Sequence, residues 1–210
     1  MEVYIGSARI NENGEGEGGI PGDQNGQECM IEPWYLHPKG WYILRPIDQQ
    51  KGALMAQDMV YLCDNPNIGY SFWNNSHTLY DAAQPYGFDC SQVQIPCDTN
   101  CSRGVRVCAL YAGYNVPDFY TGTEIEVFTA TGEFYLITND TYCNSPDYLI
   151  VGDILVTRTT GHTAIVVSTD GEPPTPPEPP SAYNRRMKPF LDINAMTYSR
   201  RERTRRTWYL

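Results

Sequence analysis

Two side chains carry the chemistry latent in this sequence: Cys101, which opens a helix-like run, and His162, which opens a strand-like run. A thiol whose proton is taken by an imidazole is a nucleophile for acyl transfer. Val105, Cys108, Ala109 and Ala112 recur at helical spacing. Thr99 or Asn100 serves as the N-cap, so Cys101 falls in the first turn, where free backbone amides and the helix dipole favour negative charge. Helix starts and neighbouring cations bring a cysteine from about 8.5 down to roughly 3.5–7.5. The expectation is therefore a thiol largely ionised at neutral pH, with Arg103 and Arg106 adding to the effect. Weighed against this, cysteine is among the most buried residue types, and a lone one is more often core than catalytic.

The elements that must position this pair follow from patterning. Val151–Arg158 and His162–Ser168 are β-rich runs joined by Thr159-Thr160-Gly161, which predicts a hairpin with His162 at the start of its second strand. Residues 34–46 predict two short strands around Pro38-Lys39-Gly40. Asp48 caps an expected helix over 49–63, with Leu54, Met55, Met59 and Leu62 near one face. A second helix is expected over 77–84 and a strand over 133–138, while 124–130 reads equally as helix or strand. Residues 11–26, rich in Gly, Glu and Asn, predict a long loop. Its carboxylates Glu12, Glu15, Glu17 and Asp23 lack the spacing of a dedicated calcium loop and read better as solvated charge. A helical first half followed by strands is α+β.

At these residues the chain resembles the NlpC-type cysteine peptidases, papain-like bacterial and phage enzymes that cleave peptidoglycan stem peptides. The family's Asp-Cys-Ser helix start is matched by Asn100-Cys101-Ser102-Arg103-Gly104-Val105. Its Gly-Asp-Leu and Gly-His-Val-Gly-Ile strands are matched by Gly152-Asp153-Ile154 and Gly161-His162-Thr163-Ala164-Ile165. The match covers about residues 77–170. Upstream, Ser7 to Glu12, Gly19 to Gln24, Trp34-Tyr35 and Leu44-Arg45-Pro46 are similar to a form seen in phage and prophage lysins of gut Firmicutes. The resemblance implies a papain-like fold, with the nucleophile helix packed on a small antiparallel sheet. It also implies Cys101 as nucleophile and His162 as base, and calls for no cofactor.

The chain departs from that family in two places. Asn100 stands where the family commonly has Asp, a modest change at an N-cap. The family also carries a third polar residue, on the strand after the histidine strand, that orients the imidazole. Here Asp170 leads into Gly171-Glu172-Pro173-Pro174, which leaves no room for a further ladder strand. The third residue stays unassigned among Asp170, His37 and Asp140, and Gln24 is a candidate oxyanion donor without a placing element. His77 reads as a solvated first-turn residue.

The chain has seven cysteines, an odd number. Cys90, Cys97, Cys101 and Cys108 raise a zinc reading, but only Cys97 and Cys101 meet the spacing of a zinc knuckle, and no metal is assigned. Cys97 could instead pair reversibly with Cys101 as a redox brake. The N-terminus does not read as a signal peptide, and no apolar run is long enough to span a membrane. The expectation is synthesis in a host cytoplasm with free thiols, then release to the cell wall, or carriage on a virion.

Charge divides the chain: net −14 over residues 1–170 and +6 over 182–210, joined by a Pro-rich linker at 171–181. A basic tail on an acidic domain fits an anionic wall polymer, with nucleic acid the weaker candidate. The sequence thus predicts a peptidoglycan hydrolase, endopeptidase or amidase, built as a catalytic domain over 1–170 with a tethered tail. The alternatives are an inactive wall-binding or virion-associated module with the same fold, and a zinc-stabilised interaction protein.

Overall fold

The computed structural model describes residues 2–73 and 75–171; the expected linker, apart from Gly171, and the basic tail lie outside the described residues. Among the described residues, eight strands and five α-helices are arranged as an α+β fold. The strands are β1 (Tyr4–Ala8), β2 (Cys29–Pro33), β3 (Trp41–Pro46), β4 (Ile68–Tyr70), β5 (Cys97–Thr99), β6 (Phe134–Ile137), β7 (Ile154–Thr157) and β8 (Thr163–Ser168). The helices are α1 (Gln49–Asp64), α2 (Thr78–Ala83), α3 (Cys101–Tyr111), α4 (Glu124–Ala130) and α5 (Asp140–Cys143). Six strands form one antiparallel sheet in the order β2-β1-β8-β7-β3-β6, and β4 and β5 form a separate parallel pair.

The expected β7–β8 hairpin is present, with Val156 opposite Thr163 and Ile154 opposite Ile165. Beside β8 lies β1, with Gly6 opposite Ile165 and Ile5 opposite Val166. Among the described residues no strand follows β8, as expected; its second neighbour in the sheet comes instead from the start of the chain. The hairpin expected over 34–46 is corrected. β3 does form, but its partners are β6 and β7, while β2 ends at Pro33 and pairs with β1 at the other side of the sheet. Residues 34–40 instead cross between β2 and β3. Strand propensity reveals a strand but not its partner, which packing selects.

Both faces of the sheet are covered. α1 and α3 lie on the face lined by Ile154, Val156, Ile165 and Val167; Val105, Val107 and Cys108 of α3 and Met55, Met59 and Leu62 of α1 are buried there. Each such aliphatic side chain contributes roughly 1.5–3 kcal/mol by leaving water. On the opposite face Ile5, Trp41, Ile43, Leu155, Ala164 and Val166 form a second core. The helix over the sheet sits close. A Cβ on Gly152, which has φ +91°, would lie 2.5 Å from the Gly52 backbone of α1. Asp48 caps α1 as expected, accepting from the amides of Gln50 at 2.9 Å and Lys51 at 3.3 Å. The segment 124–130, ambiguous in sequence, is the helix α4.

One ion pair ties the histidine hairpin to β3. Asp153, fully buried, accepts from Arg45 Nε at 2.9 Å, Arg45 Nη2 at 2.7 Å and the Ile150 amide at 3.0 Å. Arg45 also reaches the Tyr148 carbonyl at 2.7 Å.

Candidate active site

The site lies where the start of α3 meets the start of β8. Asn100 is the N-cap, extended at φ −119°, and its side chain accepts from the Arg103 amide at 3.0 Å. This leaves Cys101 as the first helical residue. The backbone amides of Thr163, across the gap, of Ser102 and of Cys101 itself lie close enough to its sulfur to favour the thiolate. Thr163 directly follows His162, so the fold brings the two sequence-predicted residues to either side of one peptide unit.

His162 is fixed by its backbone. Its amide donates to Thr157 Oγ1 at 2.9 Å, and its carbonyl accepts from the Thr157 amide at 3.0 Å and from Thr157 Oγ1 at 3.1 Å. The turn before it docks on the loop preceding α4, through the Gly161 amide on Thr121 Oγ1 at 3.1 Å. The imidazole joins an aromatic cluster, with ring centres 6.2 Å from Trp41 and 6.3 Å from His37, the latter near-parallel at 25°. Tyr35 completes the cluster, 5.9 Å from Trp41 and 6.1 Å from His37, and its phenol lies within electrostatic range of the Cys101 thiol. The crossing from β2 to β3 thus delivers His37 beside the histidine, with Tyr35 packed on His37 and Trp41. Their aromatic partner Trp41, the first residue of β3, donates from Nε1 to the Tyr35 carbonyl at 2.8 Å.

The structure separates the three candidates for the orienting residue. Asp170 lies beyond the far end of β8, accepting from Ser168 Oγ at 2.5 Å. Asp140 is paired with Arg158. His37 is the one brought beside His162. Its Nδ1 accepts from the Lys39 amide at 3.0 Å, which fixes the neutral ring as the Nε2–H tautomer. Gln24 is not an oxyanion donor here, because its side-chain amide donates to the carbonyls of Pro21 at 3.1 Å and Gly22 at 2.9 Å.

Electrostatics correct the expected resting state. Burial, reinforced by the nearby Glu124 carboxylate, pushes the Cys101 thiol up to about 12, and the three amides only partly offset this. Burial, with the positive potentials of His37 and Arg9, lowers His162 to about 4. Both shifts favour a neutral thiol and a neutral imidazole, in side chains whose residues are half-buried. Arg103 and Arg106 do not assist the thiol. Both face Asp118, at 3.3 and 3.5 Å, and Arg106 lies over the Tyr80 ring at 4.5 Å.

Sequence reasoning missed Glu124. It is fully buried, its Oε1 accepts from Thr163 Oγ1 at 2.8 Å, and its Oε2 has no hydrogen-bond partner. Nothing in Thr123-Glu124-Ile125-Glu126 sets it apart from an ordinary acidic first turn. Arg9, paired with Glu32 at 2.5 Å, was also missed as a neighbour of His162. Cys97 is buried, with its thiol 3.5 Å from the Asn67 carbonyl. Among the described residues no three His, Cys, Asp or Glu side chains converge as a metal set, and all seven cysteines are free thiols.

In this α+β domain Cys101 opens α3 and His162 immediately precedes β8, with Thr163 between them. The family is given by the endolysin-like domain model, which matches residues 5–173: the chain belongs to the endolysin-like domain family. No curated protein and no solved structure matched it. Membership points to a phage cell-wall lysin acting on peptidoglycan. Among the described residues no helix is long and apolar enough to cross a membrane.

Proposed function

We propose that the protein is a cysteine peptidase or amidase of the NlpC, papain-like type that cleaves stem-peptide amide bonds of peptidoglycan. The observation that supports this reading is that Cys101 opens a helix with its sulfur in range of the backbone amide of Thr163, the residue that follows His162. A neutral His162 is competent as a base, since it needs no proton removed before it accepts one. Cys101 attacks the carbonyl carbon while its proton passes to His162. The imidazolium then protonates the leaving amine, and water resolves the acyl-enzyme. The Cys101 amide at the helix start is suited to hold the oxyanion. His37 positions the His162 ring, taking the part that a carboxylate or amide plays in other triads. Peptidoglycan is the substrate, and the basic tail is proposed to hold an anionic wall polymer. Delivery is proposed through the host membrane at lysis or on a virion.

The test is release of soluble muropeptides from purified walls, read by mass spectrometry, with wild type and Cys101→Ala compared. Release by the wild type alone supports the nucleophile and identifies the bond. Equal release by both proteins sinks the cysteine mechanism, and release by neither, over walls of several chemotypes, favours an inactive binding module.

A further inference from the structure

Glu124 is the buried ionisable group nearest the proposed chemistry that the mechanism leaves unused. It is fully buried at the start of α4, one carboxylate oxygen held by Thr163 and the other without a partner. Thr163 also presents its backbone amide to the Cys101 sulfur. The carboxyl, the threonine and the thiol thus form one contiguous chain, in which the threonine side chain binds the acid and its amide binds the nucleophile. An orphaned carboxylate oxygen in a dry setting costs a full desolvation penalty when charged and much less when protonated.

We propose that Glu124 is a positioning residue for Cys101: as the neutral acid it steadies Thr163 and permits the thiolate, and as the carboxylate it opposes thiolate formation, closing the site at alkaline pH. This deepens the cysteine-nucleophile reading and rests on it.

The surroundings leave few competitors for this role. From α3 the facing titratable group is Cys101 itself. From β8 come the Thr163 hydroxyl and, one residue earlier, His162, which is already neutral well below the relevant range. On its own helix the other carboxylate, Glu126, is exposed. Tyr35 and Tyr70, both within range of the thiol, are raised above the ordinary tyrosine value and stay neutral. Burial moves Glu124 from 4.5 up to about 8, so its charge changes inside the range accessible to experiment.

The experiment is the rate of Cys101 alkylation by iodoacetamide between pH 6 and 10, followed on the Cys101 peptide by mass spectrometry, in the full chain and its Glu124→Gln variant. A thiolate-limited rate rises about tenfold per pH unit below the thiol value. In the wild type the rise flattens around pH 8 as Glu124 ionises. In Glu124→Gln the flattening is gone. The two proteins then agree within about twofold at pH 6.5, and the variant leads by about tenfold at pH 9.5, equivalent to one unit in the thiol.

A uniform offset at all pH values marks a purely structural role and overturns the proposal, as does an unflattened wild-type profile. Should Glu124→Gln fail to fold, judged by circular dichroism, Thr163→Val removes the one hydrogen bond that favours the carboxylate. The break must then move to higher pH, and an unmoved break refutes the idea. The alkylation profile uses no cell-wall substrate, so it is read independently of the muropeptide assay: either result can fail alone.

Discussion

Replacing Arg45 with methionine removes the guanidinium from a carboxylate that has no exposure to water. Asp153 accepts three hydrogen bonds, two of them from Arg45, and keeps only the Ile150 amide in the variant. Stranding one partner of a buried ion pair costs about 3–5 kcal/mol. The carboxyl can escape by taking up a proton. From an ordinary value of 3.8 that costs about 4 kcal/mol at pH 7, so the escape caps the loss within the same range. The sign then follows. Burial already holds the wild-type Asp153 carboxyl above its ordinary value, and the variant's lies higher still, so the deficit grows only as pH rises above the wild-type folded value and shrinks by up to about 1.4 kcal/mol per unit as pH falls, to under about 2 kcal/mol at pH 5. Urea unfolding of wild type and Arg45→Met at pH 7 and pH 5 measures both quantities. At pH 7 the expected drop in Tm is about 6–20 °C. The double variant Arg45→Met with Asp153→Asn recovers most of the loss, because no charge is left behind. A deficit below about 1 kcal/mol at pH 7, or one that does not change with pH, refutes the reasoning. Since Asp153 opens the hairpin that ends on His162, wall lysis by Arg45→Met should fail at a lower temperature than in the wild type.

Further outcomes are expected from the same geometry. Muropeptide release should persist on acidification until His162 protonates near pH 4, and an acid limb near 6.5, the ordinary histidine value, would contradict the burial argument. Gly152→Ala must both adopt φ +91° and push a Cβ to 2.5 Å from the Gly52 backbone; we expect a loss of more than about 3 kcal/mol in urea unfolding, and a loss within 0.5 kcal/mol on the same scale would show that α1 can move. Asn100→Ala removes the side-chain acceptor of α3 and should cost about 1 kcal/mol. Its iodoacetamide profile should also shift, since the Cys101 amide belongs to that helix turn. His37→Gln should lower kcat for wall hydrolysis while leaving Tm within about 2 °C, equivalent to under 1 kcal/mol; unchanged kcat would remove His37 from the site.

Local patterning alone was enough for the elements that carry the proposed nucleophile and base. The α3 start, its Asn100 cap and the β7–β8 hairpin are written in contiguous residues, because caps, turns and short-range periodicity are decided within a few positions of each other. The Asp48 cap and α1 were legible for the same reason. Tertiary structure decided what those elements meet. That β1 would lie against β8, supplying the missing neighbour from the opposite end of the chain, is a pairing across more than 150 positions. Strand propensity carries no record of such a partner. The crossing of residues 34–40 that sets His37 beside His162 looked in the sequence like a hairpin. The charge state was the other thing only the fold could settle. A helix start predicts an acidic thiol, but the packing around the half-buried Cys101 and the buried Glu124 carboxyl push it the other way, and desolvation belongs to the packed molecule and to no segment of its sequence.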